Sequence, residues 1–181
     1  MAHEYTVEDS RTVYSGFFDV VNDRVAMPGG DSADRVYLRH PGAVAVVALD
    51  DAGRVLLVRQ YRAPVGRFLW ELPAGLRDVD GEDPSETARR ELAEEADLLA
   101  GSMEPLLDVF ASPGCSDERI QIYLARGLTA VPSEQAHTRT HEEAELETRW
   151  WDLDEALAAI ADGRIRNNIC VSGLLAAAQS R

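Results

Sequence analysis

The chain has 181 residues, and its 32 acidic residues against 18 basic ones give a formal net charge of −14. This length predicts a single domain with one substantial core. The charge argues against a general nucleic-acid binder, because basic surfaces hold phosphate backbones. An acidic chain can still take a small phosphate-containing ligand if its carboxylates first recruit divalent cations, which reverse the local charge.

Hydropathy and cysteine content indicate the cellular compartment of the protein. No stretch reaches the roughly 20 apolar residues that a membrane span needs, and the N-terminal letters MAHEYTVEDSRT lack the basic and apolar regions of a signal peptide. The two cysteines are too few for a disulfide framework and are not spaced as zinc ligands. We therefore expect a cytoplasmic protein with no membrane partner, in which Cys115 and Cys170 are reduced thiols and Cys170 lies in the core.

The first part of the chain has the composition of strands. Aromatic and β-branched residues cluster over residues 12–25, which predicts an N-terminal sheet. Strands are also predicted over 36–38, 43–49 and 55–61, and the last two form a hairpin around Asp50–Asp51–Ala52–Gly53. We expect residues 1–41 to form an N-terminal β segment and residues 42–181 to form the main domain.

The first predicted helix begins at Pro84 and runs to about Ala96. Asp83 suits the N-cap, proline suits the first helical position, and Glu86 has the spacing of a capping box. Strands follow over 106–110, 120–124 and 146–151, and helices over 153–161 and 168–178. This order predicts the α+β class, as an α/β/α sandwich of mixed sheets flanked by helices.

Three carboxylates lie on one face of the predicted helix, because Glu91, Glu94 and Glu95 are three and four residues apart. Each like-charged pair costs on the order of 0.2 to 0.5 kcal/mol in an isolated helix, which a solvated surface tolerates. The helix alone therefore leaves two interpretations open. It is either a solvated acidic face paired with Arg89 and Arg90, or a magnesium or manganese site of hard oxygen ligands.

The segment 75–98 resembles the Nudix box, which has a glycine, a glutamate and then Arg-Glu-aliphatic-any-Glu-Glu-any-Gly-aliphatic. The matching residues are Gly75, Glu82, Arg90, Glu91, Leu92, Glu94, Glu95 and Leu98. The segment departs from the pattern in two places: one extra residue precedes Glu82, and Asp97 stands where the family has its final glycine. Aspartate tolerates the left-handed helix end that glycine permits, so we expect weakened local stability and intact chemistry.

Further segments in chain order resemble the ADP-ribose pyrophosphatases of the Nudix family. They are residues 60–62, 70–75, 112–114 with Glu118, and the acidic run 141–147. The resemblance implies the Nudix fold over 42–181 and hydrolysis of the diphosphate of ADP-ribose to AMP and ribose 5-phosphate. It also implies two or three Mg²⁺ or Mn²⁺ ions, and a homodimer with exchanged N-terminal segments.

The same resemblance implies a role for particular residues. The metal ligands would be the Ala74 carbonyl and the carboxylates of Glu91, Glu94, Glu95 and Glu145. Glu143 would be the base that deprotonates the attacking water, with Glu142 as its rival. Gly75, Glu82 and Arg90 would be structural. The substrate-binding residues would be Arg62, Arg35, Phe17, Phe18, Leu76, Ser112, Gly114 and Glu118.

Several of these substrate residues, and the acidic run, also have an ordinary structural interpretation. Arg62 could pair with a phosphate, although an arginine that ends a strand is often a solvated cation. The segment around Ser112 and Gly114 could be an ordinary turn. Phe17 and Phe18 could stack on adenine from the partner subunit, but two aromatics in a strand-rich segment are more often core. The acidic run before the last strand could be a solvated turn.

Three other functions compete with ADP-ribose hydrolysis. The first is a Nudix hydrolase of other nucleoside diphosphate derivatives, such as ADP-sugars or oxidised nucleotides. The second is a non-catalytic Nudix ligand sensor, which the glutamates at the metal positions and the acidic charge oppose. The third is an interaction protein whose carboxylates bind a metal for structure alone.

Overall fold

The structure is a computed structural model that describes residues 5–135, 137 and 146–180. The chain divides into two compact units, Met1–Gly42 with Phe110–Arg119, and Ala43–Val109 with Ile120–Arg181. The first unit therefore contains the segment 110–119 in addition to the N-terminal residues. The domain boundary after residue 41 stays a prediction.

The first unit contains an antiparallel sheet, which its described residues form in the order β1 (Thr6–Tyr14), β2 (Asp19–Ala26) and β3 (Ser32–Arg39). The predicted N-terminal sheet is confirmed, but its first strand starts at Thr6 and the chain turns over residues 15–18. Asp23 is buried on β2, where its carboxylate accepts hydrogen bonds from the Ser10 hydroxyl at 2.6 Å and the Tyr37 hydroxyl at 2.9 Å. One carboxylate thus joins all three strands.

The described residues of the second unit form a seven-stranded sheet. Its strands are β4 (Ala43–Leu49), β5 (Arg54–Arg62), β6 (Arg67–Glu71), β7 (Ala74–Leu76), β8 (Leu98–Phe110), β9 (Arg119–Ala130) and β10 (Glu147–Asp152). The order is β10-β5-β4-β9-β8, with β6 paired to β5 and β7 to β4. β4 runs parallel to β9 and antiparallel to β5, so the sheet is mixed and the predicted β4–β5 hairpin is confirmed.

The helices are α1 (Pro84–Ala96), α2 (Leu153–Ala161) and α3 (Asn168–Gln179), with short 3-10 turns at Ala63–Val65 and Ser133–Gln135. The predicted start of α1 is confirmed, since the Asp83 side chain accepts the Ser85 N–H at 2.9 Å. Glu86, which has the spacing of a capping box with Asp83, has its carboxylate 3.7 Å from Arg89 Nε. No helix within the described ranges is long and apolar enough to cross a membrane.

Helices pack on both faces of the central strand β4. Val44, Val46 and Ala48 form a buried cluster with Leu92 of α1. Successive side chains of a strand point to opposite faces, so Val47 lies on the other face. There α3 approaches so closely that a Cβ on Gly173 would lie 3.0 Å from Val47 Cγ2. The predicted α/β/α sandwich is thereby confirmed.

The two thiols differ in their surroundings, although both are free. Cys170 is fully buried in α3, as predicted, and this burial raises the pKa of its thiol. Cys115 is exposed in the first unit.

The end of α1 has the left-handed geometry that the box glycine usually supplies. Asp97 has φ 53° and ψ 35°, and it is the only non-glycine residue with positive φ in the described part of the chain. Its N–H donates to the Ala93 carbonyl and its carbonyl accepts the Val131 N–H at 2.9 Å. The helix end is therefore kept although aspartate replaces glycine.

We expect Asp97→Gly to stabilise the protein by about 0.5 to 1 kcal/mol, because glycine has no Cβ that would clash in the left-handed conformation. Asp97→Ala should destabilise it by a similar amount, since alanine tolerates the left-handed region less well than aspartate. Urea denaturation should therefore rank the free energy of unfolding as Gly, then Asp, then Ala. An alanine variant as stable as the glycine variant would contradict this explanation.

Candidate active site

The carboxylates of α1 lie against the short strand β7. Glu95 is buried, and its Oε2 accepts the backbone N–H of Ala74 at 2.9 Å. Ala74 is itself paired with Ala45 of the central strand β4. The last carboxylate of the helix is thus tied to the middle of the sheet.

The glycine of the box lies directly beneath another of these carboxylates. A Cβ added to Gly75 would overlap the carboxyl group of Glu91, whose side chain is only 12% exposed. Any larger residue would have to displace Glu91 or separate α1 from β7. Glycine at 75 therefore leaves room for the Glu91 carboxyl group to lie against β7.

Arg90 connects the acidic groups of the box. Its Nη1 lies 2.7 Å from Glu91 Oε1 and 3.3 Å from Glu94 Oε2, and its Nη2 lies 3.4 Å from Glu82 Oε2. The same Glu82 oxygen accepts the Thr87 hydroxyl at 2.8 Å. These contacts hold the loop that carries Glu82 against the helix, and a structural role for Glu82 and Arg90 stays a prediction.

The environment of Glu91 disfavours its negative charge. Burial raises the pKa of the Glu91 carboxyl, Arg90 opposes this rise, and the neighbouring charge of Glu94 adds to it. Crowded, partly desolvated carboxylates need a compensating cation. The guanidinium of Arg90 supplies a compensating charge in contact with Glu91 and Glu94.

The donor types at this site suit a hard divalent cation. Carboxylate oxygens and a peptide carbonyl are the ligands that Mg²⁺ and Mn²⁺ prefer. Within the described residues, however, no group of three or more His, Cys, Asp or Glu side chains could hold a metal ion. The predicted metal ligand Glu145, the predicted base Glu143 and its rival Glu142 lie outside the described residues. The described side chains therefore fit a metal by chemistry without completing its coordination.

A second charged contact joins the last residue of β5, Arg62, to the last residue of β6, Glu71. Arg62 Nε and Nη2 donate to the two carboxylate oxygens of Glu71 at 3.0 and 2.7 Å. Arg62 was predicted from the sequence as a phosphate ligand, but Glu71 was not singled out. The available signal was a glutamate between Trp70 and Leu72, since a charge in an apolar strand needs a partner. Leu76, also predicted to bind substrate, is half-buried at the end of β7.

The first unit contains a cavity of about 450 Å³. Two residues predicted to bind substrate, Arg35 and Gly114, line it together with the aromatic rings of Tyr37 and Phe110. A Cβ on Gly114 would meet no atom within 4 Å, so packing does not require glycine there. The sequence interpretation missed the two aromatic residues, half-buried Tyr37 on β3 and exposed Phe110 at the end of β8, because only folding brings them together.

The loop over residues 112–118, before β9, forms a turn and also lines this cavity. The Ser112 carbonyl accepts the N–H groups of Cys115 and Ser116, both at 3.0 Å. Glu118 Oε1 lies 3.8 Å from His40 Nε2. The ordinary turn that was the alternative for this segment is therefore present, and a ligand role for Ser112 and Glu118 stays a prediction.

Phe17 and Phe18 do not lie in the core. Their side chains are 72% and 37% exposed, and the two rings contact each other edge to face at 6.2 Å between centroids. The interpretation of both as core residues is wrong, because the turn between β1 and β2 carries them outward. Their stacking on a base stays a prediction.

The family model described as NUDIX domain matches residues 39–169, and the chain therefore belongs to the Nudix family. This assignment agrees with the resemblance that the box residues carry and with the close packing of Gly75 against Glu91.

Individual proteins extend the comparison. The chain is 45% identical over 175 residues to an ADP-ribose pyrophosphatase of Mycobacterium tuberculosis, covering 96% of this chain and 83% of that protein. It is 36% identical to the CMP-5'-(N-acetyl-N-hydroxy-3-aminopropyl)phosphonate hydrolase of Streptomyces rubellomurinus, over 96% of this chain and 79% of that one. A crystal structure of an ADP compounds hydrolase shares the fold, with a TM-score of 0.83 and 21% identity over 99% of this chain and 95% of its own.

We expect Gly75→Ala to destabilise the protein by about 1 kcal/mol, because the new methyl group forces the Glu91 carboxyl group to move. Adding Glu91→Asp should recover part of this loss, since the shorter side chain withdraws the carboxyl group. Urea denaturation of the two single variants and the double variant measures this coupling. If the cost of Gly75→Ala is the same with aspartate at 91, the contact does not explain the glycine.

Proposed function

We propose that the protein hydrolyses the diphosphate of ADP-ribose to AMP and ribose 5-phosphate. The observation that carries the proposal is the acidic face of α1, held on β7 by the Glu95–Ala74 hydrogen bond and by the Glu91–Gly75 packing. As a Nudix family member with curated pyrophosphatase relatives, the protein is a hydrolase that cleaves a phosphoric anhydride. ADP-ribose is supported by the name of the mycobacterial relative at 45% identity.

The proposed cofactor is Mg²⁺ or Mn²⁺, with two or three ions in each site. Nudix hydrolases generally need divalent metal ions. The proposed ligands are the carboxylates of Glu91, Glu94, Glu95 and Glu145 with the Ala74 carbonyl. Bound there, the ions would neutralise the charge of the diphosphate and of the leaving oxygen.

The remaining roles belong to side chains of this chain. Glu143 is proposed to take a proton from the water that attacks phosphorus, with Glu142 as the alternative base. The new phosphorus–oxygen bond replaces the bridging bond of the diphosphate, and AMP and ribose 5-phosphate leave. Arg62 is proposed to bind a phosphate, since its planar fork suits phosphate oxygens.

The other proposed substrate contacts serve the nucleoside and the terminal ribose. Arg35 would lie against the adenine, and Phe17 and Phe18 would stack on it from the partner subunit. Ser112, Gly114 and Glu118 would receive the terminal ribose, and Leu76 would contact the substrate beside the metal ligands. The exposed rings of Phe17 and Phe18 support the stacking role, and the cavity lined by Arg35 and Gly114 supports a ligand site in the first unit.

A second candidate is hydrolysis of a different nucleotide derivative. The streptomycete relative, 36% identical over 96% of this chain, is named for a CMP phosphonate compound. The Nudix box is a motif for cleavage of a phosphoric anhydride, and it does not specify which nucleobase the substrate carries. ADP-sugars, oxidised nucleotides and cytidine derivatives therefore belong in the substrate panel.

We expect AMP release from ADP-ribose that requires added Mg²⁺ and that falls by at least about 100-fold in Glu95→Gln and in Glu143→Gln, because each loses a charged group acting at the reacting phosphate. Glu86→Gln is the matched control: it neutralises an exposed carboxylate of the same helix that contacts Arg89. Its rate should stay near that of the wild type. The rate of AMP release is measured for the wild type and the three variants by chromatographic separation of AMP from ADP-ribose.

The outcomes separate the parts of the proposal. Loss of activity in Glu95→Gln alone would keep the hydrolase and move the base to Glu142 or another group. A wild type that leaves ADP-ribose intact but cleaves another nucleotide of the panel would change the substrate. A wild type inactive on every nucleotide would favour the ligand sensor.

The protein is also proposed to be a cytoplasmic homodimer with exchanged N-terminal segments. Every residue of β1 is exposed, and the first unit exposes large apolar side chains such as Val7, Val13 and Tyr14. Exposed apolar side chains grouped on an edge strand mark a surface on which another chain can pack. The two free thiols agree with a reducing compartment.

We expect size-exclusion chromatography with light scattering to show a dimer at micromolar concentration. The double variant Val7→Asp, Val13→Asp should become monomeric, because charges would replace the apolar side chains of the exposed strand. Leu175→Asp introduces a charge at an equally exposed position of α3 and serves as the control. A monomeric wild type would remove the proposal of a site shared between two chains.

A further inference from the structure

The pair formed by Glu71 and Arg62 is a buried carboxylate held by a partly exposed arginine. Glu71 is 3% exposed at the end of β6, and the Arg62 side chain is 44% exposed at the end of β5. Both carboxylate oxygens accept from the guanidinium, at 3.0 and 2.7 Å. A bidentate pair of this kind sets the plane of the guanidinium as well as its position.

Stability alone is a weak reason for this pair. Burying a carboxylate costs free energy that its partner only roughly returns, and well-packed apolar residues often do as well at such positions. Glu71 is itself only 3% exposed, so its carboxylate is almost completely removed from water, which does not favour a charge. What an apolar residue cannot do is orient the Arg62 guanidinium.

The segment that follows Glu71 leads directly to the carboxylate helix. The Pro73 carbonyl accepts the Val46 N–H at 2.9 Å, and the Ala74 N–H donates to Glu95 at 2.9 Å. Residues 71–74 are therefore held at one end by Arg62 and at the other by Glu95. Since the two ends are only three residues apart, Glu71 sets Arg62 in a defined relation to the proposed metal ligands.

We infer that Glu71 is a positioning residue, which orients Arg62 to bind a phosphate group of the substrate. The inference rests on the proposed function. Glu71 engages the Nε and Nη2 edge of Arg62. A guanidinium has five N–H donors, so phosphate oxygens would be met by donors beyond the two that Glu71 receives. Glu71 itself touches neither substrate nor metal.

The sign of the effect distinguishes orientation from charge. Glu71→Gln removes a negative charge next to the proposed phosphate ligand. By Coulomb's law alone, this change would strengthen binding of an anionic substrate. If Glu71 acts by orienting Arg62, the same change weakens binding.

The test compares kcat and KM for ADP-ribose in Mg²⁺ for the wild type, Glu71→Gln, Arg62→Lys and the double variant. Each single variant should raise KM about tenfold with kcat within about twofold, the loss expected for one misplaced charged hydrogen-bonding group. The double variant should be no worse than the single ones, because both remove the same oriented guanidinium. Asp162→Asn breaks an exposed arginine–carboxylate pair with Arg164 and should leave both constants unchanged.

Two results would overturn the inference, and a further variant covers the case in which Glu71→Gln does not fold. An unchanged or lowered KM in Glu71→Gln, with only the melting temperature reduced, would make the pair structural, as would additive effects in the double variant. If Glu71→Gln does not fold, Glu71→Asp decides, because it keeps the negative charge but shortens the side chain that holds Arg62. A raised KM in Glu71→Asp supports the inference, and an unchanged KM overturns it.

A wild type inactive on ADP-ribose would contradict the proposed substrate without touching the role of Glu71. Calorimetric titration with magnesium pyrophosphate then decides, because the diphosphate is the part that Arg62 would bind. Weaker binding by Glu71→Gln than by the wild type supports the inference. Equal affinities overturn it.

Discussion

The close approach of α1 to β7 is the constraint on which the described site depends. Glu91 can lie where it does only because residue 75 has no Cβ, and Glu95 is held there by the N–H of Ala74. This approach is possible because Leu92 of the same helix packs into the apolar cluster on β4. Burial of the apolar side of α1 thus pays the electrostatic cost of setting its acidic side against the sheet.

Charge pairing gives the second organising feature of the molecule. The chain carries an excess of acidic residues, and two of its carboxylates, Glu91 and Glu71, each contact an arginine. Arg90 joins loop to helix, and Arg62 joins β5 to the end of β6. In both cases the arginine fork sets a direction, and a directed charge is what recognition of a diphosphate requires.

The first unit has a different character from the second. Its sheet is held by hydrogen bonds to one buried aspartate, Asp23, and its first strand is exposed along its whole length. It also contains the cavity lined by Arg35 and Gly114. A unit with little apolar burial of its own gains stability when another chain covers it, which is the physical basis of the proposed dimer.

The sequence by itself determined the family, the bounds of α1 and α2, the central hairpin and the α/β/α class, because these follow from local caps, periodicity and the fixed spacing of the box. It also indicated the left-handed helix end at Asp97. Only the tertiary structure decided that Gly75 is required by Glu91, that Glu71 holds Arg62, and that Phe17 and Phe18 are exposed. β6 and β7 also went unpredicted, since a strand of three to five residues is too short to show a period. The difference has one physical reason: caps and helical faces act between residues near in the chain, whereas these contacts join residues that only folding brings together.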